Sequence, residues 1–170
     1  GTICGGYIGR ALTAASIPWI NIAQVGMTVG QFANSFYRKY RSSLISGCTH
    51  AVFEYPVNDV NNGVAEATIK ANLIIGWNSV KNHGLKVYQT TTTPITSSID
   101  GFTTTGNQTI VDGTENTVRI AVNTWIRDGA PILSGVAAAA GSSANGTVRI
   151  GDTNHPLSGY FEIADIHCGV

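Results

Sequence analysis

Short apolar, β-branched runs alternate with longer stretches whose apolar residues recur at helical spacing. This alternation restricts the 170-residue chain to a mixed α/β architecture more firmly than any other feature. Residues 17–22 (IPWINI), 50–55 (HAVFEY) and 85–93 read as strands, the second stopped by Pro56 and the third by Pro94. Helical periodicity covers 5–15, 29–46, 64–82 and 115–128. The clearest case is the Phe32, Phe36, Tyr40, Leu44 stripe, with Arg38, Lys39 and Arg41 off it. A last helix is expected over 156–167, with Pro156 at its first position and Tyr160, Ile163, Ala164 and His167 along one side. Strands separated by helices imply right-handed crossovers and a mostly parallel sheet covered on both faces, a three-layer α/β/α sandwich. Residues 94–113, rich in Thr, Ser and Gly, read as a long polar loop suited to binding. Weak apolar runs follow at 131–136 and 148–150.

Composition narrows the function. Ten Lys+Arg balance ten Asp+Glu, and 12% of residues are charged, so the positive surplus of a nucleic-acid binder is missing. An apolar content of 43% excludes a disordered chain. No apolar run approaches the length of a membrane span, and no secretory leader is read at Gly1. The expectation is one soluble globular domain over 1–170. Cys4, Cys48 and Cys168 are too few and too scattered for a zinc site; one disulfide plus one free thiol leaves the pairing open. No His/Asp cluster has metal spacing, so no metal or cofactor is expected. Few lysines, abundant Gly, Thr, Ser and Asn, and sequons at Asn107 and Asn145 lean toward an extracellular or virion-associated setting.

Three loops carry unusual chemistry, in positions that follow strands, where parallel sheets place their sites. In Gly151-Asp152-Thr153-Asn154-His155-Pro156, a carboxylate three residues before an imidazole can curl back onto Nδ1. That fixes the tautomer and leaves Nε2 free as a general base. The ordinary reading is a capping Asp and a surface His beside a proline turn. Asn58, after the 50–55 strand, can donate its amide to a developing oxyanion; the ordinary reading is an Asn-Asp turn. Gly26, five residues after Asn21, lets the backbone approach a ligand, and is otherwise a plain turn glycine.

Together these loops resemble the SGNH (GDSL-type) serine hydrolases, in which four blocks supply a nucleophilic Ser, an oxyanion Gly, an oxyanion Asn, and a paired Asp and His. The resemblance runs through Asn21 to Thr28, Val57-Asn58-Asp59, and Asp152 to Tyr160, with Ile163-Ala164-Asp165 beyond, in the family's order. It implies a flavodoxin-like sheet, Gly26 and Asn58 as oxyanion donors, His155 as general base and Asp152 as its orienter. Two departures stand out. Pro56 replaces the glycine usual two positions before the Asn, and no Gly-Asp-Ser occurs. The nucleophile and the first central strand are therefore expected upstream of Gly1, on a segment that a nick could leave bound noncovalently. The chain would then be a cleaved or truncated piece of its precursor.

By resemblance the substrate is an acyl or acetyl ester, with carbohydrate as the leading alcohol. Cys4 is the candidate replacement nucleophile inside the chain, ahead of Thr2 and Ser16; a structural or disulfide cysteine is the ordinary reading. His50, His83 and His167 read as structural, and Trp19, Trp77 and Trp125 as core rather than sugar platforms. The glycines at 1, 5, 6 and 9 lack the lysine of a phosphate loop. The competing functions are a noncatalytic glycan- or protein-binding module, or a structural domain of a viral or cell-surface assembly, on the same fold.

Overall fold

A computed structural model describes residues 7–34, 39, 43–111 and 113–164. Among the described residues, α-helices with both ends placed are α1 (Tyr7–Ala14), α2 (Val29–Ala33), α3 (Val57–Asn61), α4 (Glu66–Lys81) and α5 (Thr114–Arg127). A three-stranded parallel sheet has the order β1 (His50–Phe53), β2 (Lys86–Thr90), β7 (Gly159–Phe161). Registers pair His50 with Lys86, Phe53 with Gln89, Tyr88 with Gly159, and Thr90 with Phe161. Two antiparallel hairpins accompany it: β3 (Thr96–Ser98) with β4 (Gln108–Ile110), and β5 (Ile132–Leu133) with β6 (Val136–Ala137). The chain is thus mixed α/β around a parallel sheet.

The core forms where α4 and α5 meet β2. Ile69, Leu73, Ile74, Trp77 and Val80 make the buried stripe of α4; Val122, Trp125 and Ile126 face it from α5. Glu66 in the first turn of α4 and Lys81 in its last complement the helix dipole. Trp77 and Trp125 stack at 5.5 Å with their planes 13° apart. Both indoles are fully buried, and both N–H groups are satisfied: Trp77 donates to Gln89 Oε1 at 3.0 Å, Trp125 to the Pro131 carbonyl at 3.2 Å. The Gln89 amide in turn donates to the Tyr55 and Thr90 carbonyls, so this buried polar residue leaves no partner unmade. Gly76, inside α4, is required by packing. A Cβ there would sit 3.2 Å from Phe53 and 3.3 Å from Phe32, whose rings meet edge to face at 5.3 Å.

Four expectations are corrected. Residues 17–22 are not a strand: no strand flanks them among the described residues, and Ile17 and Ile20 are exposed. The segment folds back on α1 instead. Trp19 donates to Thr13 Oγ1 at 2.8 Å and lies so close to Gly9 that a Cβ there would be 2.7 Å from the indole. The helix read at 29–46 is interrupted: α2 ends at Ala33 with Asn34 as its C-cap, Lys39 is again helical, and Ser43–Ile45 is one 3-10 turn that leaves Leu44 exposed. Phe36 and Tyr40 lie outside the described residues. The loop at 94–113 contains the β3–β4 hairpin, organised by Asp100. Its carboxylate accepts the Ser98, Thr103, Thr104 and Asn107 donors, and those bonds, Ser98's foremost, hold it well below the usual carboxylate range.

The fourth correction concerns the expected last helix. Residues 159–161 form β7, anchored by the Ser158 N–H on the Val87 carbonyl at 2.8 Å and the Thr91 N–H on the Phe161 carbonyl at 3.0 Å. Gly, Tyr and Phe are poor helix formers, and the free edge of β2 offers their backbone a ladder that local periodicity does not register. Residues 165–170, including Asp165, His167 and Cys168, lie outside the described residues. β1 and β7 are the sheet edges, and among the described residues each pairs on one side only.

Trp77→Ala removes the stack and strands a buried Gln89 acceptor. We expect a loss of about 3–5 kcal/mol, read as a lower urea midpoint at unchanged m-value.

Candidate functional site

Because all three strands of the sheet are parallel, it has one C-terminal pole and one N-terminal pole, and these sort the expected site residues. Asn58 follows β1 and therefore belongs to the C-terminal pole. The segment carrying Gly26 meets it there: the Asn58 side-chain amide donates to the Met27 carbonyl at 3.0 Å. Asp59, next in sequence and buried, accepts the Val29 N–H at 2.8 Å and the Gly30 N–H at 3.4 Å, capping α2 from a different element. Thr28 and Gln31 add a reciprocal capping box at the same helix start. Burial raises the Asp59 carboxyl above its ordinary value, against the two N–H bonds that favour its charged form.

This clamp fixes one edge of the Asn58 amide, and its second N–H has no acceptor among the described residues. Gly26 sits in an exposed turn at φ +74°, where a Cβ would meet nothing within 4 Å. The glycine is there for backbone conformation, not for space. Its N–H has no hydrogen-bond partner among the described residues. The two expected oxyanion donors therefore lie on adjoining segments of one pole.

His155 and Asp152 do not join them. His155 precedes β7 by four residues, and a parallel strand puts what precedes it at the N-terminal pole. Lys81, at the last turn of α4, confirms the location by donating to the Thr153 and His155 carbonyls at 3.1 and 2.9 Å. The imidazole is 3% exposed and both of its nitrogens are engaged by main chain. Nδ1 accepts the Leu157 N–H at 3.1 Å, which makes Nε2 the protonated nitrogen, donating to the Ala130 carbonyl at 2.9 Å. A ring held in this way has no lone pair to offer a hydroxyl.

The Asp152 carboxylate does not curl onto the ring either: it accepts the Arg149 N–H at 2.6 Å, and the Asp152 carbonyl takes the His155 N–H at 3.0 Å. These are the contacts of a turn. The expected orienter–base pair is thus corrected to a buried structural imidazole beside a turn aspartate. Nothing in the sequence separates the two arrangements, because they share the same spacing.

Cys4 and Thr2 lie outside the described residues. Cys48 is a half-buried free thiol, and Ser16 is exposed just past α1. Among the described residues no cluster of three or more His, Cys, Asp or Glu could hold a metal ion, and no helix is long and apolar enough to cross a membrane. Compared with protein-family models, with curated proteins and with solved structures, the chain gives no match.

Burial lowers the His155 pKa from its ordinary 6.5, and the bonds to Ala130 and Leu157 only partly offset it. Below that value the unfolded chain binds a proton that the native imidazole resists. Stability is therefore fully present above about pH 6.5 and falls on acidification, by at most about 1.4 kcal/mol per pH unit from this group. Urea midpoints taken at about pH 7.5 and about pH 5 should show that fall, and His155→Gln should flatten it.

Proposed function

We propose that this chain is the scaffold of an SGNH-type serine ester hydrolase, with the oxyanion-binding half already assembled. The observation that supports the reading is the adjacency of Gly26 and Asn58 at the C-terminal pole, each with an N–H left for a ligand. A serine brought to this pole attacks the ester carbonyl carbon and gives its proton to a base, while the carbonyl electrons move onto oxygen. The Gly26 N–H and the Asn58 amide hold that oxyanion. The alcohol departs with the proton, and water repeats the sequence on the acyl-enzyme to release the acid. Acyl and acetyl esters, with carbohydrate as the leading alcohol, remain the substrate class.

His155 and Asp152 stay at the other pole, with both ring nitrogens on main chain and the carboxylate on the Arg149 N–H, so this reading takes its base from elsewhere. A serine that completes this site must reach the Gly26 and Asn58 donors, and a three-layer arrangement of the sheet is the finer form of this reading.

The competing reading is a noncatalytic binding module, favoured by the two occupied nitrogens of His155. One assay separates them. The 170-residue chain should not turn over p-nitrophenyl acetate. The chain extended by its natural upstream segment should do so. In that form Asn58→Ala should lower kcat about 10²–10³-fold. An inactive extended chain, or activity indifferent to Asn58→Ala, overturns the hydrolase reading in favour of the binding module.

A further inference from the structure

An asparagine followed by glycine exposes its side-chain amide to attack by the next backbone nitrogen, because glycine has no Cβ to hinder the approach. The chain contains this pair twice, at Asn62-Gly63 and at Asn145-Gly146. Both asparagines are exposed, so access to water does not separate them. Backbone bonding does.

Asn62 is the C-cap of α3, at φ −87° and ψ 7°. Its N–H donates to the Asn58 carbonyl at 3.0 Å, and the Val64 N–H to the Asp59 carbonyl at 3.0 Å. The nitrogen that would attack, that of Gly63, is committed to the Val60 carbonyl at 3.0 Å. Gly63 takes φ +69°, the left-handed step that closes a helix end. Turning this peptide toward the Asn62 side chain would unwind the helix that carries Asn58 and the buried Asp59.

Asn145 and Gly146 are the middle of a turn closed by one bond, from the Thr147 N–H to the Ala144 carbonyl at 3.1 Å. Gly146 takes φ +86° at the position where such a turn needs glycine. Residues 143–146 are all exposed, and neither the Asn145 side-chain amide nor the Gly146 N–H has a partner among the described residues. Rotation about the Asn145 Cα–C bond brings the Gly146 nitrogen to the side-chain carbonyl carbon at the cost of that single turn bond. On either side the chain is held, by the Gly141 N–H on the Asp128 carboxylate at 2.7 Å and by the Ile132–Val148 pairing. The rotation is a local opening that leaves the fold in place.

We propose that Asn145 is a spontaneous modification site, deamidated while the protein stays folded. The Gly146 nitrogen gives its proton to hydroxide and bonds to Asn145 Cγ. The C–N bond of the side-chain amide breaks, and ammonia leaves from a five-membered succinimide. Water adds to one of the two ring carbonyls, and the ring opens to aspartate or to isoaspartate, in which the backbone runs through the side-chain carbon. Attack is intramolecular, so geometry sets its rate. Either product adds one negative charge to a chain of zero formal net charge. The site uses no residue of the hydrolase reading and does not rest on it.

The test uses chain made without glycosylation, because Asn145 opens a sequon and a glycan would cap its amide. Folded chain is aged in mildly alkaline buffer, and peptide masses at 145 and 62 are followed with time. Isoaspartate is counted by methylation of its free α-carboxylate with a protein-isoaspartate methyltransferase. Asn145 should convert at least about tenfold faster than Asn62, and faster still as pH rises. In urea the two rates should converge, because the α3 cap is gone. Asn145→Gln should remove the acidic species seen on ion exchange, with an unchanged circular dichroism spectrum. Equal rates in the folded chain overturn the proposal. So does a gap that persists in urea, which assigns the difference to neighbouring sequence, or an Asn145 that converts in urea alone.

Discussion

Pairing of Gly159–Phe161 along the edge of β2 governs what the rest of the molecule can do, because in a parallel sheet the direction of a strand fixes which end its preceding loop occupies. Three main-chain registers therefore carry the 151–158 turn to the N-terminal rim. The Ser158 and Thr91 bonds at either end of β7 extend the ladder by one rung on each side. Everything attached to that turn follows: the imidazole enters the space beneath Trp77, with ring centroids 6.5 Å apart, and Lys81 closes over it. In this position the imidazole is out of reach of the Asn58 pole.

The two poles are built by different physics. At the C-terminal end, a buried carboxylate and a clamped amide satisfy the start of a five-residue helix and draw the Gly26 turn onto α3. Those bonds are polar and join segments that lie far apart in sequence. At the N-terminal end the imidazole is consumed as a cross-link between the Ala130 carbonyl and the Leu157 N–H, which ties the end of α5 to the approach to β7. Burial keeps that ring neutral, as a cross-link with one donor and one acceptor requires.

Long-period features were legible in the sequence, and features decided by distant partners were not. The stripe of α4, the Val118–Ile126 face of α5 and the β1 and β2 runs all carry enough repeats for periodicity to dominate, and they appear within a few residues of the expected bounds. Residues 17–22 are as strand-like as β1 in composition, yet among the described residues they form no strand, and Trp19 lies against α1 instead. Residues 156–164 have a helical pattern, yet an available sheet edge captures three of them. At the site, the meeting of the Gly26 and Asn58 segments followed the order of the motifs. The fate of His155 did not: whether a ring nitrogen is free depends on Ala130, 25 positions away, and no local spacing encodes that.

The three tryptophans divide unevenly between two environments. Two are stacked together in the dry interior, while the third rests on Gly9 at the periphery, held by a threonine hydroxyl. The α1 segment thus carries its own fluorophore, electronically separate from the coupled interior pair. Detachment of that segment and collapse of the core are optically distinct events, so the emission of this chain has two independent components. Enlarging residue 9 would evict the peripheral indole and move its emission toward that of a solvated tryptophan.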